Sequence, residues 1–172
     1  MNTLHKSLLL LIVISFALSG CGTVRLDANT TSFHVVKERV PNLKSGQTIK
    51  VDNYYNKPTV VILTGVLDAD LYQYTDTAIK LLEQGFSHSN ISVGASGKKS
   101  IKLKVHNVKY VTGFWSLQVD VNISVELGNG KSFTVYHHNS SPANGYRAIS
   151  GAITRGVEKV MKHNDFLEYV NS

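Results

Sequence analysis

Cysteine is almost missing from this chain: Cys21 is the one example in 172 residues. A single cysteine excludes an intramolecular disulfide and any zinc site built on cysteine pairs. Acidic residues are scarce too, with 12 Asp and Glu against 18 Lys and Arg, a formal charge of +6. Charged residues make up only 17% of the chain and hydrophobic ones 42%, a balance that excludes wholesale disorder. No hydrophobic run is long enough to cross a bilayer. The longest, residues 8–18, has 11 residues and as a helix spans about 16 Å, where a bilayer core needs about 20 residues. Gly-x-Ser-x-Gly, internal repeats and low-complexity tracts are absent as well.

The N-terminus is distinctive. The first 20 residues contain one charged residue, Lys6, and no Asp, Glu or Pro. A short basic start followed by the apolar run reads as a signal-peptide core. It ends in Leu18-Ser19-Gly20-Cys21, small residues just before the sole cysteine. This resembles the lipobox of bacterial lipoproteins, in which the thiol is linked to a diacylglycerol and the chain is then cut before the cysteine. The resemblance implies a signal peptide over 1–20 and a mature chain starting at a lipidated Cys21 with two or three acyl chains. One chain holds a protein only marginally at a membrane; two or more hold it firmly. Gly22 follows the cysteine instead of the Asp that often retains such proteins at the inner membrane, which implies outer-membrane sorting in a Gram-negative cell. The alternative is a secreted protein with a free Cys21 thiol, a liability in an oxidising compartment.

Residues 21–32 lack a sustained apolar period and read as a lipidated N-terminus and flexible tether. Residues 33–172 then form a single domain. Residues 33–36 are a candidate short strand, and 48–54 alternate weakly, as an edge strand does. The β-branched run at 59–64 is apolar in both phases, as in a central strand covered on both faces. A helix is expected over 69–86, capped by Asp68 or Asp70, with Leu71, Tyr74, Ala78, Leu81, Leu82 and Gly85 on its inward stripe. With a short strand at 91–93, residues 59–93 form a candidate β-α-β unit.

The strongest signal comes next. Ile101, Leu103 and Val105 alternate, and Val108 and Tyr110 continue in the other phase, so a β-bulge is expected near Asn107. From Trp115 to Leu127 every second residue is apolar, the mark of a long strand with one dry and one wet face. Gly128-Asn129-Gly130 is expected to form a type I′ hairpin turn, returning a strand over 131–137. A second helix is expected over 144–163, with Ala148, Ala152 and Gly156 small enough for close approach to a sheet. Residues 165–170 are an amphipathic tail that docks back. The fold class this order implies is α+β, a two-layer sandwich with a mainly antiparallel sheet and two helices packed on one face.

Several stretches invite chemical readings. Residues 92–100 superficially resemble a phosphate-binding loop, but Ser92 stands where the Walker pattern has Gly and Lys99 where it has Ser or Thr. A strand, not a helix, is expected to follow, so the segment is read as a flexible loop. His137 and His138 are adjacent on a strand and point to opposite faces, so they cannot chelate one ion. No metal and no cofactor is expected. The acids are scattered, and Asp68 and Asp70 are explained by capping and the helix dipole. Cys21 would be acylated, so no enzyme is expected. Four Asn-x-Ser/Thr triplets, starting at Asn29, Asn90, Asn122 and Asn139, are read as chance matches beside a bacterial lipobox. Lys98, Lys99, Lys102, Lys104 and Lys109 cluster along one strand and its approach, with Lys102, Lys104 and His106 on one face. They suit anionic lipid headgroups or an acidic protein, or they serve as a solvated face that discourages edge pairing. Tyr54, Tyr55, Tyr72, Phe114 and Trp115 lie near turns or strand ends, where aromatics anchor partners or pack as lids.

Lipobox, short tether, β-α-β, long hairpin and C-terminal helix together make the chain similar to small YajG-type envelope lipoproteins. More loosely, it resembles lipopolysaccharide-assembly and transport-auxiliary lipoproteins. The resemblance implies a non-catalytic binding or assembly accessory, held to the membrane by acyl chains and facing the periplasm. Its partners would be an envelope protein complex or lipid, not nucleic acid. The candidate partner-binding residues are Lys102, Lys104, Gln118 and Asn122. An envelope hydrolase acting on cell-wall or glycan substrates and a structural or flagellar-accessory subunit are the alternatives.

Overall fold

A computed structural model describes residues 23–28, 33–113, 115–142 and 144–172. The expected signal peptide, Cys21 and Phe114 lie outside the described residues. Among the described residues, two sheets and three α-helices make up an α+β fold. The main sheet has five strands in the order β5-β2-β6-β7-β8, and a small one has three in the order β1-β4-β3. Strands β6 (Lys99–Thr112), β7 (Leu117–Leu127) and β8 (Ser132–Ser141) form an antiparallel meander. Strands β2 (Thr48–Asn53) and β5 (Ser92–Val93) join it in parallel, so the sheet is mixed.

Alternation decides the faces. Ile101, Leu103, Val105, Val119, Val121, Ile123 and Val125 are fully buried, while their sequence neighbours on β7 point outward. Over the dry face lie helices α1 (Leu71–Ser87) and α2 (Gly145–Met161). Asp70 caps α1, its carboxylate accepting from the Tyr72 N–H at 3.0 Å; Asn144 caps α2 through the Arg147 N–H at 2.9 Å. The small-residue stripe brings α2 close to the sheet: a β carbon at Gly156 would stand 2.7 Å from Ile123 Cδ1. The expected tail is a third helix, α3 (Asn164–Asn171), with Phe166 and Val170 fully buried. Phe166 stacks on Phe86 of α1 with centroids 6.0 Å apart. The expected bulge sits between His106 and Lys109, where Asn107 adopts a φ of 49°.

Several expectations are corrected. Residues 23–28 are packed rather than tethering: β1 (Val24–Arg25) pairs in parallel with β4 (Leu67–Asp70). Leu26 is buried there, and the Tyr74 hydroxyl donates to its carbonyl. Residues 33–36 form no strand and lead into a short 3-10 turn, Lys37–Arg39. The run at 59–64 is not central. As β3 (Val60–Thr64) it edges the small sheet with Val60 and Ile62 exposed, so the parallel β-α-β pairing belongs to β2 and β5. Strand β2 is correspondingly flanked on both sides, at least at its start. The β7–β8 turn is not type I′. Gly130 N–H donates to Leu127 O and Leu127 N–H to Lys131 O, both at 2.9 Å, and within the turn Gly130 alone has a positive φ, 87°. That is a type I turn closed by a left-handed glycine.

Residues 94–98, expected to be flexible, are a tight crossing. β5 and β6 flank β2 and both run parallel to it, and both meet it at Ile49, so the chain passes across β2 within these few residues. Parallel connections usually take a dozen residues or more. Here Gly97 allows the contact: a β carbon at this position would stand 2.5 Å from the Lys50 N and 2.8 Å from the Ile49 Cα.

Candidate functional site: the open face of the main sheet

With both long helices on one side, the opposite face of the main sheet carries no layer among the described residues. β6 sets Lys102, Lys104 and His106 on this face, and β7 sets Gln118, Asp120, Asn122, Ser124 and Glu126 beside them. β8 adds Thr134, Tyr136 and His138, while Tyr54 follows at the end of β2. The four candidate residues Lys102, Lys104, Gln118 and Asn122 thus share one surface.

The register organises the face into two polar clusters. Lys104 lies across from Ser124, with its ammonium 4.1 Å from the centroid of the Tyr54 ring; the Lys102 ammonium is 5.8 Å from the same ring. His106 Nε2 lies 2.7 Å from Ser124 Oγ, which in turn lies 2.7 Å from Thr134 Oγ1. Burial, with the Lys104 charge second, pushes the His106 imidazole below its ordinary range, so the ring is neutral near neutral pH. In the second cluster Asp120 accepts from the Tyr136 hydroxyl at 2.8 Å and meets His138 Nδ1 at 2.7 Å. The His138 hydrogen bond, aided by that from Tyr136, holds the carboxyl below the usual carboxylate range.

His137 and His138 diverge as adjacent strand residues must. His137 turns to the helix side, where burial, with Lys159 adding repulsion, lowers its imidazole. Tyr55 leaves the face and donates to the Val105 carbonyl at 3.1 Å. The Asp120–His138–Tyr136 cluster was not among the expected site residues, although its signal was present. Counting outward from the β7–β8 turn pairs Asp120 with His138.

Elsewhere the carboxylates have structural partners. Asp68 accepts from Thr23 and pairs with Arg25 at 2.8 Å, and Asp70 caps α1 while also accepting from the Thr59 N–H at 2.9 Å. Glu158 is held by Arg155 at 2.8 Å and Arg39 at 3.5 Å. A cleft of about 530 Å³ runs between residues 33–36, the end of β8 and α2; Asn139, Arg147 and Arg155 are among its lining residues, and no carboxylate is. No cluster of three metal-ligating side chains occurs among the described residues.

The described residues thus form an α+β fold with one face of the main sheet sealed by helices and the other open and polar. No family model matches the chain, and no curated protein matches it. Among solved structures it is similar to protein XCC0632 from Xanthomonas campestris, of family DUF330. Identity there is 18%, with 81% of this chain and 88% of that one covered, at a TM-score of 0.44. It is also similar to PelC from Paraburkholderia phytofirmans, solved as a dodecamer. In one crystal form the identity is 16%, with 71% of this chain and 90% of that one covered, at a TM-score of 0.39. In another the identity is 15%, with coverage of 69% and 92% and a TM-score of 0.40. None of the three is named as a YajG-type protein, and at such identities no residue role passes to this chain.

Proposed function

We propose that this chain is a membrane-anchored lipoprotein serving as a non-catalytic binding or assembly accessory in the bacterial cell envelope. In this reading Cys21 carries the acyl chains, and the open face of the main sheet engages an envelope protein complex or lipid. The observation that carries the reading is the uncovered polar face, which gathers Lys102, Lys104, Tyr54, Gln118 and Asn122 on a rigid sheet. Two cations over one aromatic ring offer a partner charge and stacking area together. Acyl chains confine the domain to two dimensions and so raise its effective concentration near membrane partners. The non-catalytic reading is supported by the structural partners of Asp68, Asp70 and Glu158 and by a cleft beside α2 whose lining holds no carboxylate. An outer-membrane address rests on Gly22 after the cysteine.

In-cell crosslinking through photoreactive residues at positions 118 and 122 should capture a defined envelope partner. Replacing Lys102 and Lys104 by Glu should reduce that yield severalfold while leaving the folded signal unchanged. An unaltered yield from the double variant would remove this face from the binding surface.

A further inference from the structure

Large apolar side chains are exposed at one end of the molecule, and the described chain begins at that same end. Val24, at the start of β1, is 59% exposed, and its N–H donates to the Val66 carbonyl at 2.8 Å. Val66 is 66% exposed in the β3–β4 turn, and Ile62, shortly before that turn, is 64% exposed. Thr64-Gly65-Val66-Leu67 carries no charge, and Arg25 of β1 is paired with Asp68. Beside this lies the end of the main sheet. Leu26 and Tyr110 both abut Gly145: a β carbon there would stand 3.1 Å from Leu26 Cδ1 and 3.1 Å from the Tyr110 hydroxyl. From that end projects the β6–β7 hairpin, with Val111 exposed and Trp115, the single tryptophan of the chain, 84% exposed.

A soluble domain gains nothing by presenting these groups to water, whereas valine, isoleucine and especially tryptophan suit the boundary between headgroups and acyl chains. The occupant follows from where the chain leaves the domain. Cys21 precedes Val24 by three residues, at most about 11 Å of extended chain. A bilayer holding acyl chains on Cys21 therefore lies within reach of Val24 and Val66.

We infer that this end of the domain, carrying Val24, Ile62, Val66 and Trp115, rests in the headgroup region of the bilayer that holds the Cys21 acyl chains. The inference rests on the anchor reading above. The domain is therefore not free to swing at the end of a tether, and the exposed apolar side chains fix its orientation.

The test uses the full acylated protein, reconstituted in phosphatidylethanolamine and phosphatidylglycerol vesicles and checked by intact mass. Trp115 emission should be quenched by lipids spin-labelled near the headgroup and should be shielded from aqueous iodide. A second protein, Trp115→Phe with Asn129→Trp, moves the reporter to the β7–β8 turn at the opposite end of the sheet and should show the reverse. Ile62→Asp with Val66→Asp should release Trp115 to iodide while the protein stays on the vesicles. An acylated mass with Trp115 open to iodide, or with both reporters quenched alike by lipid, overturns the docking and leaves the anchor standing. An unmodified mass overturns both.

Discussion

At the scale of single residues, the tightest constraint is Gly97, where the chain crosses β2. The atoms that a β carbon would meet are backbone, at 2.5 Å from Lys50 N and 2.7 Å from Ile49 C, and backbone in a sheet yields little. Gly97→Ala should therefore destabilise the protein by about 1–3 kcal/mol in urea unfolding, the usual cost of overpacking. Gly65→Ala, with nothing within 4 Å, supplies the control and should cost much less. The glycine was visible in the sequence but its duty was not, because a flexible loop and a forced crossing use the same residues. On the open face, by contrast, each outward position follows from alternation alone. What alternation could not say is that Asp120 binds both Tyr136 and His138, since that depends on side-chain reach across the register.

At the scale of elements, the C-terminal helix α3 completes the core. Phe166 is fully buried against Phe86, and Lys131 of the β7–β8 connection reaches Asp165 at 2.8 Å and Glu168 at 2.9 Å. The aromatic contact dominates, because exposed ion pairs contribute little. Phe166→Ala should cost roughly 3–5 kcal/mol, read as a lower urea midpoint, whereas Lys131→Met should shift it little. The amphipathic pattern of residues 165–170 announced this docking. Helices α1 and α2 were legible for the same reason, their apolar stripes being local. Strand β1 was not. Its two residues have no period, and they are ordered by distant partners, Asp68 and Tyr74.

At the scale of the whole molecule, titration links stability to pH with one sign. His106 and His137 are held below their ordinary range, chiefly by burial. The unfolded chain takes up protons at the ordinary value of about 6.5 while the folded chain resists, so stability falls as pH drops through that value. Asp68, Asp120 and Asp165 are lowered by hydrogen bonds from Thr23, His138 and Lys131 respectively. Their contribution is present above the usual carboxylate range and is lost as pH falls through the depressed values. Thermal melts should thus show two declines on acidification, and His106→Gln with His137→Gln should flatten the upper one alone; an unchanged upper slope would contradict the assignment. The sequence by itself determined the wet and dry faces of the long strands, the two long helices, the cap of the first and the meander of β6 to β8. Period and turn chemistry act between near neighbours and need no knowledge of the rest. Only the tertiary structure decided that β2 lies between β5 and β6, that β3 and β4 leave for a second sheet, and that residues 23–28 join it. Such pairings close long loops, and their partners are selected by which buried surfaces fit together, a property no local pattern carries.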